Sequence, residues 1–199
     1  RRHPRWLSDW SSDVCSSIFE PGVQVKVRGP YHFDVQGTVI ALGTADENIL
    51  FTRSNPNLWW DGFDYLNTSS ENQASVFDHC IFEYGYGQGS EIGLNSGGAF
   101  AIYGYDALSV SNSVFRYNKA DLSGYYPPSG GAVGLWDASP MFSKCTFYNN
   151  EAEYGGAFFC FEQSDPVVSN CLFYNNFGTY GGAIRSEEHT SELQSLSHL

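Results

Sequence analysis

Four copies of one short string constrain this chain more than any other feature of its sequence. The copies read VFDHCIFEYG (76–85), VSNSVFRYN (110–118), MFSKCTFYNN (141–150) and VVSNCLFYNN (167–176). Each copy is followed by Gly-Gly-Ala and an apolar residue, at 97–100, 130–133, 155–158 and 181–184. Repeats with a period of about 20 to 50 residues are typical of solenoids, propellers and arrays. The sequence therefore predicts a series of similar structural units.

The spacing between the repeats distinguishes among these architectures. From the Cys or Ser of each string to the next Gly-Gly pair, the chain takes 17 residues in the first two copies and 10 in the last two. From each Gly-Gly pair to the next Cys or Ser it takes 16, 15 and 16 residues. One connection therefore varies while the rest stays nearly constant, as expected when insertions fall on a single loop of a coil.

The residue pattern indicates strands rather than helices. In GGAFFCF, Phe158 and Cys160 alternate with Phe159 and Phe161, and no apolar spacing of the helical period runs for long. Tyr, Phe and Val favour strands, and Gly and Asn favour the turns between them. The prediction is an all-β, single-stranded parallel β-helix, a solenoid in which each coil rises by about 4.8 Å.

Matching positions of the repeats then form stacks along the solenoid axis. The stacks expected to face inward are Phe77/Val110/Phe142/Val168, Cys80/Ser113/Cys145/Cys171, Phe82/Phe115/Phe147/Phe173 and Phe100/Val133/Phe158/Ile184. Three residues after the Phe of the third stack comes Asn118, Asn150 or Asn176, and stacked buried amides can bond from coil to coil. Gly85 interrupts this ladder in the first copy.

Composition excludes several classes of function. With 10 Lys and Arg against 22 Asp and Glu, the formal net charge is −12, so we expect no nucleic-acid partner. No apolar run approaches the length of a membrane-spanning helix. The cysteines lack the spacing of a metal site, and we predict buried thiols, with a Cys145–Cys171 disulfide as the alternative. No metal and no cofactor are predicted.

Both termini differ from the repeats. The string RSEEHTSELQS (185–195) resembles a translated reading frame of a sequencing-library adapter, and RRHPRWLSDWSSDVCSS (1–17) resembles the complementary strand of such an adapter. We therefore expect 1–17 and 185–199 to be adapter-derived and 18–184 to be the β-helix domain. On this hypothesis the solenoid is incomplete at its C-terminal end, and resequencing the source DNA across both junctions tests it.

The stretch 20–66 carries a family resemblance. EPGVQVKV, VQGTVIALGT, ILFT and WWDGF resemble the opening of bacterial extracellular right-handed parallel β-helix proteins of the pectin-lyase-like superfamily. The Gly-Gly-Ala-apolar and Phe-x-x-Asn repeats are similar to those of polymorphic outer-membrane and autotransporter-type passengers. The resemblance implies a right-handed coil and a secreted or cell-surface location in a bacterium. It leaves function open, since this superfamily contains adhesins, polysaccharide lyases and glycoside hydrolases.

Candidate catalytic residues are few. A lyase needs a basic group near carboxylates, which points to Arg116 and Lys119 beside Asp121, with Glu83, Glu91 and His79 on neighbouring coils. A glycosidase needs two opposed carboxylates, for which Asp61 with Asp64, or Asp137 with Glu162, are the available pairs. None of these falls in a diagnostic motif, so we assign no catalytic residue and favour a structural or adhesin-like role.

A ligand-binding surface is the remaining prediction. Six residues after three of the Gly-Gly pairs stand Tyr103, Trp136 and Phe161, which should point outward or onto the turn, beside Asp137 and Glu162. Exposed rings next to acids suit a polysaccharide or another cell-surface ligand, although an external aromatic ladder can also serve stability alone. Loop aromatics extend the candidate surface: Tyr84, Tyr125 and Tyr126.

Overall fold

The computed structural model describes residues 10–11, 16–66, 68–87, 97–120 and 128–187. Within these ranges the chain forms 23 strands and no helix, and all strand pairing is parallel. The strands make four sheets, here numbered 1 to 4 in the order in which each full coil, from β2 onward, passes through them. The predicted parallel β-helix is confirmed.

Sheets 1 and 2 each stack six strands. Sheet 1 contains, in spatial order, β2 (Ser16–Phe19), β5 (Thr38–Leu42), β8 (Ser75–Asp78), β12 (Leu108–Ser111), β16 (Met141–Ser143) and β20 (Val167–Ser169). Sheet 2 contains β3 (Gln24–Val27), β6 (Ile49–Arg53), β9 (Cys80–Glu83), β13 (Val114–Arg116), β17 (Thr146–Tyr148) and β21 (Leu172–Tyr174).

Sheets 3 and 4 complete the coils. Sheet 3 contains β10 (Tyr86–Gly87), β14 (Lys119–Ala120), β18 (Glu151–Tyr154) and β22 (Phe177–Tyr180). Sheet 4 contains β1 (Trp10–Ser11), β4 (Phe33–Asp34), β7 (Phe63–Tyr65), β11 (Phe100–Tyr103), β15 (Val133–Trp136), β19 (Phe158–Phe161) and β23 (Ile184–Glu187). The first two coils pass directly from sheet 2 to sheet 4, whereas the later four pass through sheet 3.

The core is built from the predicted inward stacks. Phe51, Phe82, Phe115, Phe147 and Phe173 stack along the axis with ring centroids 5.2, 4.8, 4.6 and 4.7 Å apart. These distances match the spacing of paired strands, so each ring covers the ring of the next coil. The other predicted inward stacks also hold their register. No disulfide joins the four cysteines of the described chain.

An asparagine ladder lines the turn after sheet 2, as predicted. The Nδ2 of Asn118 donates to the Oδ1 of Asn150 at 3.0 Å, and the Nδ2 of Asn150 donates to the Oδ1 of Asn176 at 2.9 Å. At the first coil of the ladder the backbone N–H of Gly85 donates to the Oδ1 of Asn118 at 2.9 Å. The ladder therefore gives hydrogen-bond partners to buried backbone N–H groups of the turn, those of Gly85, Asn118 and Asn150.

The Gly-Gly pairs are required by the backbone at the entry to sheet 4. The first glycine, for example Gly130 with φ 63°, adopts a left-handed conformation. A Cβ on the second, Gly131, would lie 2.2 Å from the carbonyl oxygen of Gly156 on the next coil. Because neighbouring coils approach so closely here, no larger residue fits, which explains why the motif recurs.

Strand pairing continues past both predicted domain boundaries. At one end β2 begins at Ser16 and β1 pairs with β4, and at the other end β23 extends to Glu187 and pairs with β19. Residues 18 and 184 are therefore not the limits of the paired strands, because Arg185 and the two residues after it occupy strand positions in register with β19. The adapter origin of the flanking strings stays a prediction.

Candidate ligand-binding surface

One outward column runs along the whole of sheet 2. Side chains alternate in and out along each strand, so the residue after each inward position of the Phe stack points away from the core. The strand register aligns these outward residues from coil to coil. We call the column the sheet 2 face: Lys26, Thr52, Glu83, Arg116, Tyr148 and Tyr174.

Glu83 and Arg116 form the centre of the sheet 2 face. Glu83 is buried, and its Oε2 accepts hydrogen bonds from the Nε of Arg116 at 2.7 Å and the terminal nitrogen of Arg116 at 2.6 Å. Its Oε1 accepts from the hydroxyl of Thr52 at 2.9 Å. The second terminal nitrogen of Arg116 donates to the hydroxyl of Tyr148 at 3.1 Å. The face is thus tied together across four coils.

The environment of Arg116 fixes its charge. Burial lowers the pKa of its guanidinium, but the hydrogen bonds to Tyr148 and Glu83 and the charge of Glu83 outweigh burial and raise the pKa above its ordinary value. Arg116 is therefore a cation at neutral pH, and it holds Glu83 in place.

Two tyrosines at the corner after sheet 2 extend the surface. Tyr84 and Tyr117 adopt left-handed backbone conformations with φ 60° and 56°, and their rings stack 5.4 Å apart at an interplanar angle of 9°. On the other side of Tyr84, the guanidinium of Arg53 lies 3.8 Å from the ring centroid and 4.9 Å from that of Trp59. This guanidinium is held in place by two aromatic rings.

The far end of the sheet 2 face is aromatic. Tyr148 and Tyr174 stack with centroids 5.0 Å apart and an interplanar angle of 4°. Tyr117 packs edge-on against Tyr148 at 5.9 Å, and Tyr117 and Tyr174 are 39% and 42% exposed. Because the ring faces cover one another, the rings present their edges and hydroxyl groups to solvent.

A groove opens at the near end of the face. It has a volume of about 320 Å³ and lies beside the Arg53–Tyr84 contact. The lining residues are Lys26, Leu50, Thr52, Arg53, Ser54, Asn55, Pro56, Glu83 and Tyr84. The groove is thus lined both by hydrogen-bond donors, such as Lys26 and Arg53, and by the apolar side chains of Leu50 and Pro56.

The profile of the family described as right-handed beta helix region matches residues 65–195 of the chain. This match covers more than half of the sequence and agrees with the stacked parallel sheets. The chain belongs to the right-handed β-helix family. Comparisons with curated proteins and with solved structures returned no match. The described part of this β-helix has no helix with the length and apolar character of a membrane span.

The predicted outward column after sheet 4 is only partly exposed. Tyr103, Trp136 and Phe161 are in register, and Tyr103 is 44% exposed. The expectation of an exposed ring is wrong for Trp136, which is 6% exposed. Its ring packs 5.9 Å from Phe159, which in turn stacks on Phe161 at 6.0 Å, so the rings of this β-helix cover one another.

Other predicted ligand-binding residues fall into three groups. Asp137 and Glu162 are exposed at matching left-handed turn positions, directly after Trp136 and Phe161. Tyr84 is half-buried between Arg53 and Tyr117, so it belongs to the other surface. Tyr125 and Tyr126 lie outside the described residues.

The described chain brings together only part of the candidate lyase cluster: Arg116 pairs with Glu83, whereas Lys119 and His79 have other partners. Lys119 forms an ion pair with Glu151 on sheet 3, away from Arg116 on sheet 2. His79 lies at the corner between sheets 1 and 2, where its Nδ1 contacts the Oδ2 of Asp78 at 2.9 Å. Asp121 and Glu91 lie outside the described residues.

Asp78 accepts several hydrogen bonds at that corner. Its Oδ1 accepts from the hydroxyl of Ser111 at 2.6 Å and the Nδ2 of Asn112 at 2.7 Å. Burial raises the pKa of Asp78, but the hydrogen bonds from Ser111, Asn112 and His79 outweigh burial and hold the pKa below its ordinary value. Asp78 is therefore an ionised structural acceptor at neutral pH.

Asp64 behaves in the opposite way. It lies in register with Asp34 on sheet 4 and is 7% exposed. Burial, followed by the charges of Asp61 and Asp34, raises the pKa of Asp64 well above its ordinary value. Within the described ranges, no group of three or more His, Cys, Asp or Glu side chains is arranged to hold a metal ion.

Sequence reasoning missed Arg53, Trp59, Tyr117, Tyr148 and Tyr174 as surface residues. A signal for two of them, Tyr148 and Tyr174, was present in the repeated strings, which read FEYG, FRYN, FYNN and FYNN after alignment. Since the Phe points inward, the next residue must point outward, which gives the series Glu83, Arg116, Tyr148 and Tyr174. Arg53 and Trp59 lie before the repeats and had no such signal.

Proposed function

We propose that this β-helix is a structural, adhesin-like module of a secreted or cell-surface protein and that its sheet 2 face binds carbohydrate. The observation that carries the proposal is the aligned column of sheet 2, in which Arg116, Tyr148 and Tyr174 follow one another on successive coils, with Tyr117 beside them and Lys26 at the other end. Aromatic edges supply apolar contact, and hydroxyl and guanidinium groups supply hydrogen bonds to sugar hydroxyls. The bacterial and surface origin rests on the family resemblance.

A polysaccharide lyase or glycoside hydrolase is the alternative function. The contacts of the described residues favour binding over that alternative, since Arg116 and Lys119 are each held by a carboxylate. A catalytic base has to be free to accept a proton from the substrate. Product release from polysaccharides by the full-length protein, abolished by Arg116→Ala, would favour the enzyme and contradict the structural role.

Binding to a panel of neutral and acidic polysaccharides, measured by affinity electrophoresis and calorimetry, tests the proposal. Tyr174→Ala and Tyr117→Asn should each weaken binding by about 10-fold, the effect of losing one buried aromatic contact. Asparagine suits position 117 because the corresponding Asn149 and Asn175 adopt the same left-handed conformation.

Tyr103→Ala is the matched control, because Tyr103 is as exposed as Tyr174 but lies on sheet 4. It should leave the affinity unchanged. If Tyr103→Ala weakens binding and Tyr174→Ala does not, the binding surface is the one predicted after sheet 4. If no polysaccharide binds, the carbohydrate-binding function is wrong.

A further inference from the structure

The groove at the near end of the sheet 2 face carries two positive charges that no described carboxylate neutralises. Arg116, Lys119 and Arg185 each form an ion pair with a glutamate. Within the described ranges, Lys26 and Arg53 have no such partner, although the chain as a whole carries a net charge of −12. A local positive field on an acidic protein attracts anions to that place.

Arg53 is held in a defined orientation. Its guanidinium lies 3.8 Å above the ring of Tyr84 and 4.9 Å from that of Trp59, and one terminal nitrogen donates to the carbonyl oxygen of Leu58 at 3.4 Å. A guanidinium has five N–H donors, so most of its donors remain for a ligand. Stacking on two rings orients the planar fork in advance.

The acid on the floor of the groove does not cancel these charges. Glu83 lines the groove, but Arg116 and Thr52 occupy both of its carboxylate oxygens. Lys26 lies in register with Thr52, the residue before Arg53. Lys26 and Arg53 therefore project from neighbouring coils. Lys26 and Arg53 therefore face the same groove of about 320 Å³.

We propose that the groove between Lys26 and Arg53 binds the anionic group, carboxylate or sulfate, of an acidic glycan. This inference rests on the proposed function and adds the ligand class to it. The fork of Arg53 matches the two oxygens of a carboxylate or sulfate, and Lys26 adds a second charge. Leu50 and Pro56 supply apolar contact for the ring that bears the anion. A free inorganic anion would lack that contact and should bind more weakly.

Affinity of the chain for polygalacturonate, dextran sulfate and neutral dextran, at low and high ionic strength, tests the proposal. Arg53→Gln and Lys26→Gln should each weaken binding of an acidic polymer by about 10-fold to 100-fold. Binding should fall as salt rises. The polymer with the higher affinity identifies the source of the anion, and neutral dextran should not respond to either substitution.

Arg28→Gln and Lys144→Gln are the matched controls. Each removes one positive charge, as the groove variants do, but Arg28 and Lys144 are exposed residues that lie outside the groove. They should change the affinity less than two-fold. Equal losses in the controls and the groove variants would show diffuse charge attraction and overturn the groove. Loss of binding in Tyr174→Ala but not in Arg53→Gln would overturn the groove and leave the proposed function intact.

Inorganic sulfate tests whether the groove binds only small anions and no glycan. Protection of the chain by sulfate against thermal unfolding, lost in Arg53→Gln, without binding of any glycan would overturn both the glycan ligand and the proposed function. Binding of the acidic polymers that depends on Arg53 and exceeds the effect of sulfate supports both.

Discussion

Replacing Asn150 by alanine should strongly destabilise the β-helix. The Oδ1 of Asn150 accepts from the backbone N–H of Asn118 at 3.1 Å and from the Nδ2 of Asn118 at 3.0 Å. Its Nδ2 donates to the carbonyl oxygen of Phe115 at 3.0 Å and to the Oδ1 of Asn176 at 2.9 Å. Asn150 is 1% exposed, so water cannot replace these bonds.

The expected loss follows from which partners are left without a bond. The Nδ2 of Asn118 keeps its bond to the carbonyl of Phe82, and the Oδ1 of Asn176 keeps its bond from the backbone N–H of Asn150. The N–H of Asn118 and the carbonyl of Phe115 lose a partner inside the fold. Each buried group left unsatisfied costs about 1 to 3 kcal/mol, so we expect a loss of about 2 to 6 kcal/mol.

Urea unfolding followed by circular dichroism and tyrosine fluorescence measures this loss. Total stabilities are about 5 to 15 kcal/mol, so the midpoint should fall by a large fraction while the slope stays the same. Asn149→Gly is the control on the same coil. It removes a half-buried neighbouring amide and keeps the left-handed backbone, φ 54°, that glycine tolerates. We expect it to change the stability by less than about 0.5 kcal/mol.

Equal losses in Asn150→Ala and Asn149→Gly would refute the reasoning, because the ladder would then contribute no more than a half-buried amide outside it. A loss in Asn150→Ala that appears only as a changed slope would also contradict it. Such a result would mean that the coils unfold separately, as repeat proteins can.

Three further comparisons test the electrostatics. Asp78→Asn should be less stable than the parent at neutral pH, and the gap should close below about pH 4, because a lowered folded-state pKa gives stability that is lost on acidification. Asp64→Asn should be more stable at neutral pH, with no gain below about pH 4, because a raised folded-state pKa gives stability that is lost as pH rises. Arg116→Met should cost about 1.5 to 3 kcal/mol by leaving Glu83 unpaired, and Glu83→Gln in the same chain should restore more than half. Thermal and urea unfolding across pH measure all three effects. A stability change of opposite sign in Asp78→Asn or Asp64→Asn would contradict the direction of the corresponding pKa shift, and a double variant no more stable than Arg116→Met would contradict the third.

Much of the fold was predictable because each coil must pack on a copy of itself. The inward Phe stack recurs as Phe82, Phe115, Phe147 and Phe173 since only a similar ring fills the same space one coil further along. The Asn ladder and the Gly-Gly pairs recur for equally local reasons, a buried amide bond and a close backbone approach. Such constraints repeat in the sequence, so alignment of the sequence with itself reveals them.

The candidate surface was less predictable because side chains that point away from the core do not have to repeat from one coil to the next. Trp136 has the outward position that alternation gives it, yet Phe159 on the next coil covers its ring, and position alone carries no information about that contact. Arg53 is placed by Trp59 and Tyr84, whose side chains come from a loop and from a later coil. Contacts between side chains of different coils need coordinates.

The variation along the sheet 2 face indicates how a ligand would lie on it. The inward neighbours of this column stay aromatic from β6 to β21, whereas the outward residues change from Lys26 at one end to Tyr174 at the other. Packing cannot require that change, since these side chains point away from the core. Six strands at a spacing of about 4.8 Å give the face a length of about 24 Å, parallel to the solenoid axis. A polymer running along the axis would meet cationic groups first and tyrosine hydroxyls last, whereas one crossing the coils would meet only one of these chemistries. Loss of affinity in both Arg53→Gln and Tyr174→Ala, with a combined effect close to the product of the two, would therefore indicate an axial ligand.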